Sequence, residues 1–380
     1  MPGDEGAKGS GKIFPWTPLL LCPFVPTPGV AWVLGISDFR PQLCPSDPPE
    51  TTREDMKTRG IIVVLGLVMC GRASAEIFPL LGGQRAGTAA AQFLKIGVGA
   101  RVVGMAGVGV AVVDDPSASY WNPAALARLG SSELQTGHVE WLVDTRYEYA
   151  CVAQDLSSLG TVALSASMLH MDDMEVTTEL RPDGTGEYFS YRDYMTTLSY
   201  AANLTDRFSV GIGIRYVQEA LADLRMHGWM ANVGTLYWTG YRTLRFGAAL
   251  VNFGPEMRPG GTYTALDETS SKYEAFSPPT VFRLGAAMDV LTHGAGSLLV
   301  SLQLNHPVDN SEDLGTGLEY RWGERFAARV GYYAGRDEEN ISFGGGVGVP
   351  LPWAALAVDY AYTDFGRLDN AQWLTLTIAY

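Results

Sequence analysis

From residue 133 to the C-terminus, apolar and polar side chains alternate with a period of two in segments of strand length. The clearest is 208–216, where Phe208, Val210, Ile212, Ile214 and Tyr216 share one face and Ser209, Gly211, Gly213 and Arg215 the other. Leu314, Leu318, Tyr320 and Trp322 alternate in the same way with Gly315, Gly317, Glu319 and Arg321. An apolar outer face over a polar inner one is the pattern of a transmembrane antiparallel β-barrel. Segments of this kind are predicted over 133–143, 147–156, 160–170, 188–203, 207–218, 224–238, 242–253, 279–291, 296–305, 313–322, 325–334, 341–349, 353–363 and 371–380. That is about fourteen strands, an even number as single-chain bacterial barrels require. Short connections alternate for the most part with longer ones such as 171–187 and 254–278, as periplasmic turns alternate with extracellular loops. Both termini are then expected at the periplasmic end. After residue 76 no apolar run is long enough for a membrane helix.

The last segment places Leu374, Leu376, Ile378 and the terminal Tyr380 on one face. This resembles the C-terminal signal of barrels inserted by the outer-membrane assembly machinery, and in a closed barrel the segment would pair with the first strand. Inward positions carry charges of both signs: Arg215, Arg245, Arg283, Arg321, Arg329, Asp193, Asp289, Glu319 and Asp359. The reading adopted is that they are paired structural groups around a plug, with a substrate-lining or ion-selective role as the alternative. Ser209, facing the lumen, is expected to accept a charged substitution more readily than the lipid-facing Ile212.

Upstream of the barrel, Lys57 and Arg59, the apolar run 61–70 and Ala73-Ser74-Ala75 follow in the order of a secretory signal peptide over 56–75. Cleavage would leave Glu76 first. Residues 1–55 carry prolines at 15, 18, 23, 26 and 28 and precede that signal, so they are read as a non-native extension from a misassigned start, with Met56 as the start. A genuine N-terminal extension is the alternative. Residues 76–130 are read as a periplasmic lead-in followed by a segment within the lumen, and 131–380 as the barrel.

Charge and candidate chemistry narrow the function. The net charge of −14 makes nucleic acid a poor partner. Of four cysteines only Cys151 lies beyond the signal peptide, so no internal disulfide is expected. The five histidines, at 138, 170, 227, 293 and 306, have no metal-ligand spacing. No cofactor is expected, and no Ser-His-acid order stands out.

One stretch does not alternate. Over 96–126 glycines stand at 97, 99, 104, 107 and 109, and the run ends in Tyr-Trp-Asn-Pro-Ala. A dinucleotide loop is excluded because Val102 occupies the third glycine position. So little side-chain volume suits a segment packed closely in a narrow lumen. Here FLKIGVGARVVGMAG, AVVDD and YWNPAALA resemble the N-terminal region of the PorV/PorQ family, relatives of the FadL-type outer-membrane transporters. The matching positions are Gly99, Ala100, Arg101, Gly104, Met105, Asp114, Asp115, Asn122, Pro123 and Ala124.

The resemblance implies an all-β barrel of about fourteen strands in the bacterial outer membrane, with a hatch that carries the Asn-Pro-Ala motif inside it. It also implies a non-enzymatic role. The leading expectation is a type IX secretion-associated component that handles exported proteins at the cell surface, with outer-membrane lipid, the barrel assembly machinery, secretion-system proteins and cargo as partners. The rival is a FadL-like passive transporter with a hydrophobic ligand.

Overall fold

The computed structural model describes residues 85–264, 270–323 and 325–380. The expected signal peptide (56–75), the stretch before it and residues 76–84 lie outside the described residues. Alternation becomes strand in β1 (Glu133–Glu140), β2 (Arg146–Asp155) and β3 (Thr161–His170). Two short strands, β4 (Met174–Glu175) and β5 (Tyr188–Phe189), precede β6 (Tyr191–Thr205), β7 (Phe208–Leu221), β8 (Leu224–Trp238) and β9 (Arg245–Phe253). After β10 (Thr262–Thr264) and β11 (Ser270–Lys272) come β12 (Val281–His293), β13 (Gly296–Pro307), β14 (Asp313–Trp322) and β15 (Phe326–Ala334). The last three are β16 (Ile341–Pro350), β17 (Ala355–Asp364) and β18 (Asn370–Ala379).

β4 with β5, and β10 with β11, form separate two-stranded sheets, and the other fourteen strands close into one antiparallel barrel. Closure joins β1 to β18 from Glu133↔Ala379 to Glu140↔Gln372, so no backbone edge is left to face hydrocarbon. The Tyr380 amide adds a bond to Ser132 O at 2.9 Å at that seam. Ile212 and Ile214 point outward and are 56% and 59% exposed, while Ser209, Gly211, Gly213 and Arg215 are buried on the inner side. At the end with the short turns, Tyr237, Trp322, Phe326, Trp353 and Tyr380 project outward, as an interfacial aromatic girdle does.

The boundaries depart from the sequence pattern where local hydrogen bonding wins. Tyr188 and Phe189 leave the predicted 188–203 segment to pair with Met174 and Glu175. The first segment stops at Glu140, because Val143 and Asp144 adopt positive φ in a turn closed by Trp141 N to Thr145 O. β7 runs past its predicted end at 218 to Leu221, where a two-residue turn at Ala222 and Asp223 leads into β8, so this connection at the long-loop end is short.

The described end of the segment read as a periplasmic lead-in (76–92), with the residues that follow it, makes contacts with the barrel. Ala90 N donates to Ser277 O at 2.9 Å, Ala91 N to Glu219 Oε2 at 3.0 Å, and Lys95 Nζ reaches Asp309 at 2.6 Å. Glu219, Ser277 and Asp309 all lie toward the barrel end opposite Glu133 and Tyr380, and their acceptors hold residues 90–95 there. From this outer end the chain descends through the lumen to enter β1.

Replacing Ile212 with arginine places a guanidinium on the lipid face, and if it sits near the bilayer midplane the expected loss is about 2–4 kcal/mol. Unfolding in lipid vesicles measures it against Ile212→Leu, and equal stability of the two variants would contradict the outward assignment. Ser209, by contrast, is not the permissive lumen position expected. It accepts from Arg128 Nε at 2.9 Å and donates to Asn203 Oδ1 at 2.6 Å, because the hatch packs against the wall here.

Candidate functional site

The lumen is occupied by residues 90–129, a hatch built from single helical turns at Gln92–Lys95, Ala100–Val103, Ala118–Trp121 and Pro123–Arg128. Such short turns cannot be stable alone. Their order comes from packing around Trp121, whose indole Nε1 donates to Val98 O at 2.8 Å. A Cβ at Gly97, Gly107 or Gly109 would come within 3.1, 3.2 or 2.8 Å of that ring, so the glycine cluster is the cup in which the indole sits. Tyr120 pins the first turn, Gln92–Lys95, through its hydroxyl, which donates to Leu94 O at 2.9 Å. Gly99 opens the Ala100–Val103 turn at φ 81°, a conformation that costs an L side chain energy, and it packs on Ser117.

Asn122 lies fully buried between hatch and wall. Its Nδ2 donates to Val110 O at 2.7 Å and to Thr235 O of β8 at 3.0 Å, while Oδ1 accepts from Ala124 N at 3.1 Å. Pro123 follows with a fixed φ at the start of the last turn. Asn122→Ala strips three hydrogen bonds from a buried site at about 1 kcal/mol net each and leaves acceptors unpaired. The expected result is a looser hatch in an intact barrel: fluctuating conductance in planar bilayers with unchanged heat-modifiable migration. Parental conductance would reduce Asn122 to a turn residue.

The wall meets the hatch with a belt of inward glycines. A Cβ on Gly211 of β7 would lie 2.3 Å from Pro123 C, and one on Gly234 of β8 2.0 Å from Asn122 Oδ1. On Gly247 of β9 it would be 2.2 Å from Val110 O, and on Gly317 of β14 2.4 Å from Val108 Cγ2. On Gly331 of β15 it would be 2.1 Å from Ala106 N, and Gly344 of β16 faces Gly104. As the strands advance from β7 to β16, the hatch is followed backwards from residue 123 to 104. β13 has no glycine at this level and uses Gln303, which accepts from Val110 N at 2.8 Å and donates to Gly107 O at 3.1 Å. The individual inward glycines at 211, 315 and 317 are visible as an alternation, but the belt needs the register between strands.

A charged cluster closes the other side. Glu319, buried on β14, accepts from Arg101 Nε of the hatch at 2.9 Å, Arg329 Nε at 2.6 Å and Arg321 Nε at 2.7 Å. Arg329 continues to Asp359 on β17 at 2.6 Å, and Arg101 also pairs with Asp114 and stands 3.9 Å from Asp115. Met105 is buried against Gly317, Ala100 N donates to Thr375 Oγ1 of β18 at 2.9 Å, and Ala124 lies against Gly211. The Asp115 carboxylate in turn accepts from Ser117 N and Gln135 Nε2.

Outside this cluster the expected pairing is incomplete. Arg245 meets Asp289 at 3.3 Å. Asp193 is buried with Tyr191 as its hydrogen-bond donor, and no cation lies within 4.0 Å of it among the described residues. Arg215 and Arg283 likewise have no carboxylate within 4.0 Å among the described residues. Both face the hatch at Tyr120.

A closed fourteen-strand antiparallel barrel with an apolar exterior and a fitted hatch defines an integral protein of the bacterial outer membrane. More narrowly, the chain belongs to the family described as type IX secretion system protein PorV, whose profile matches residues 82–308. That match takes in the described hatch and the barrel through β13.

Among solved structures, a FadL homologue of Pseudomonas aeruginosa is 15% identical, with a TM-score of 0.49 over 74% of this chain and 98% of that one. The toluene transporter TbuX of Ralstonia pickettii is 14% identical, with a TM-score of 0.45 over 75% and 97%. For the toluene transporter TodX of Pseudomonas putida the values are 11%, 0.47, 74% and 97%. A search of curated proteins finds no match.

Proposed function

We propose that the protein is a type IX secretion-associated component that handles exported proteins at the cell surface. The match of the secretion family across the hatch and most of the barrel carries this reading. The fitted hatch agrees with it, since backbone pressed against backbone at Gly247 and Gly331 favours a plugged scaffold over a conduit. On this reading exported cargo and other secretion-system proteins meet the outer end, where the connections β3–β6 and β9–β12 carry the small sheets β4–β5 and β10–β11. The outward face of β18 ending in Tyr380 serves the barrel assembly machinery during insertion.

Deleting the gene in its host and following delivery of secreted proteins to the surface tests the proposal. Loss of delivery, restored by the complete gene, is expected. Intact delivery combined with poor uptake of a hydrophobic solute would instead favour the FadL-like transporter.

A further inference from the structure

Arg215 on β7 and Arg283 on β12 are 1% and 6% exposed and lack a carboxylate partner among the described residues. Their guanidinium carbons lie 5.7 and 5.1 Å from the centroid of the Tyr120 ring. The ring face attracts a cation, but far less strongly than a counter-charge does, and a buried guanidinium without one is costly.

The hydrogen bonds around Arg215 show where a counter-charge fits. Its Nε donates to Thr197 Oγ1 at 3.0 Å and its Nη1 to Asn252 Oδ1, whereas buried Nη2 has no acceptor. Two further buried polar groups nearby, Asn232 Nδ2 and Ser199 Oγ, also have no partner. The orientation of Asn232 follows from its hydrogen bonding, since Oδ1 accepts from Asn252 N at 2.8 Å and Nδ2 must point away from that bond.

Two of these groups, Ser199 Oγ and Asn232 Nδ2, border the bare inner face of Gly213. A Cβ there would stand 2.9 Å from Ser199 Oγ, 3.5 Å from Asn232 Nδ2 and 3.5 Å from Thr197 Cγ2. Register places Ser199 and Asn232 directly opposite Gly213 on the two neighbouring strands, with Arg215 the next inward residue along β7. An amide NH2 and a hydroxyl therefore flank one small space over Gly213, the Arg215 guanidinium is anchored one inward position further along β7, and each of the three can donate. Water there would have to return hydrogen bonds to groups that, Ser199 apart, only give them.

We propose that this space between β6, β7 and β8 binds a small monovalent anion, with chloride as the abundant candidate. The anion neutralises Arg215 and, through the stacking of Arg215 on Tyr120, fastens the middle of the hatch to the wall.

Two measurements on the full barrel in detergent test this. Crystals grown with bromide in place of chloride should show an anomalous peak within hydrogen-bond distance of Arg215 Nη2. At constant ionic strength, replacing gluconate with chloride should raise the thermal unfolding midpoint in a saturable way. Arg215→Met should abolish that rise. Because this variant leaves other groups unpaired and can fail to fold, Gly213→Ala provides a second arm: it puts a methyl group into the space while keeping both arginines, and should also remove the rise. Absence of the bromide peak would show that the space holds water only and overturn the proposal. A chloride response of equal size in the parent and Gly213→Ala would overturn it as well.

Discussion

Glu319→Ala is expected to be among the most damaging single substitutions in the lumen, with a loss of about 3–5 kcal/mol, the usual result when one member of a buried ionic cluster is removed. Three arginines converge on this one carboxylate, which is 1% exposed. Without it Arg329 keeps Asp359 and Arg101 keeps Asp114 and Asp115, while Arg321 retains, among the described residues, Asp114 at 3.8 Å. Arg101 is the hatch member of the cluster, so the substitution should also weaken the attachment of the hatch to β14. Urea unfolding in vesicles gives the stability loss, and planar-bilayer conductance reports the hatch. Arg321→Ala is the internal comparison. Its side chain is 41% exposed, so its loss should stay within about 1 kcal/mol, as for a solvated ion pair. If Glu319→Ala is no worse than Arg321→Ala, the cluster does not hold the hatch.

The barrel was legible because its physics is local. Alternation over 208–216 requires only that one face meet lipid and the other the interior, and β7 follows that pattern. Closure of β18 on β1 was legible too, since a spanning sheet cannot leave an edge in hydrocarbon. Strand ends were less so. Whether Tyr188 joins β6 or pairs with Glu175 depends on a connection whose course the alternation does not encode.

Much less of the candidate site could be read. The glycines at 97, 107 and 109 and the Tyr-Trp-Asn-Pro-Ala run stood out as motifs, but their relation did not: the glycines enclose Trp121, a contact spanning up to 24 positions. The placement of residues 90–95 at the outer end rests on Glu219, Ser277 and Asp309, which lie far away in sequence. Charge alternation likewise marked Arg215 and Glu319 as inward residues of the same kind. Only geometry separates a carboxylate shared by three arginines from an arginine with none.

Gly331→Val should unseat the hatch. The added Cβ would lie 2.1 Å from Ala106 N and 2.2 Å from Met105 C, and because both are backbone atoms no rotamer change can relieve the contact. The hatch has little freedom to yield in place. Ala106 is already at φ 54° and Gly107 at φ 60°, and Ala106 N is tied to Ser342 Oγ on β16 at 2.8 Å. Either the turn at 105–107 lifts away from β15 or the strand bulges outward, and overpacking of this kind costs about 1–3 kcal/mol or more. Lifting is the expected course, because a bulge would disturb the pairing of Gly331 with both Gly317 and Ser342 on the neighbouring strands. The variant barrel should therefore keep its heat-modifiable migration while its conductance rises and protease gains access to the hatch. Gly345→Val supplies the control: the nearest atom to its Cβ would be Ala327 O at 3.8 Å, so a branched side chain fits and conductance should stay at the parental level. Equal behaviour of the two variants would mean that the glycine belt does not seat the hatch, and the plugged scaffold would then lose its structural basis.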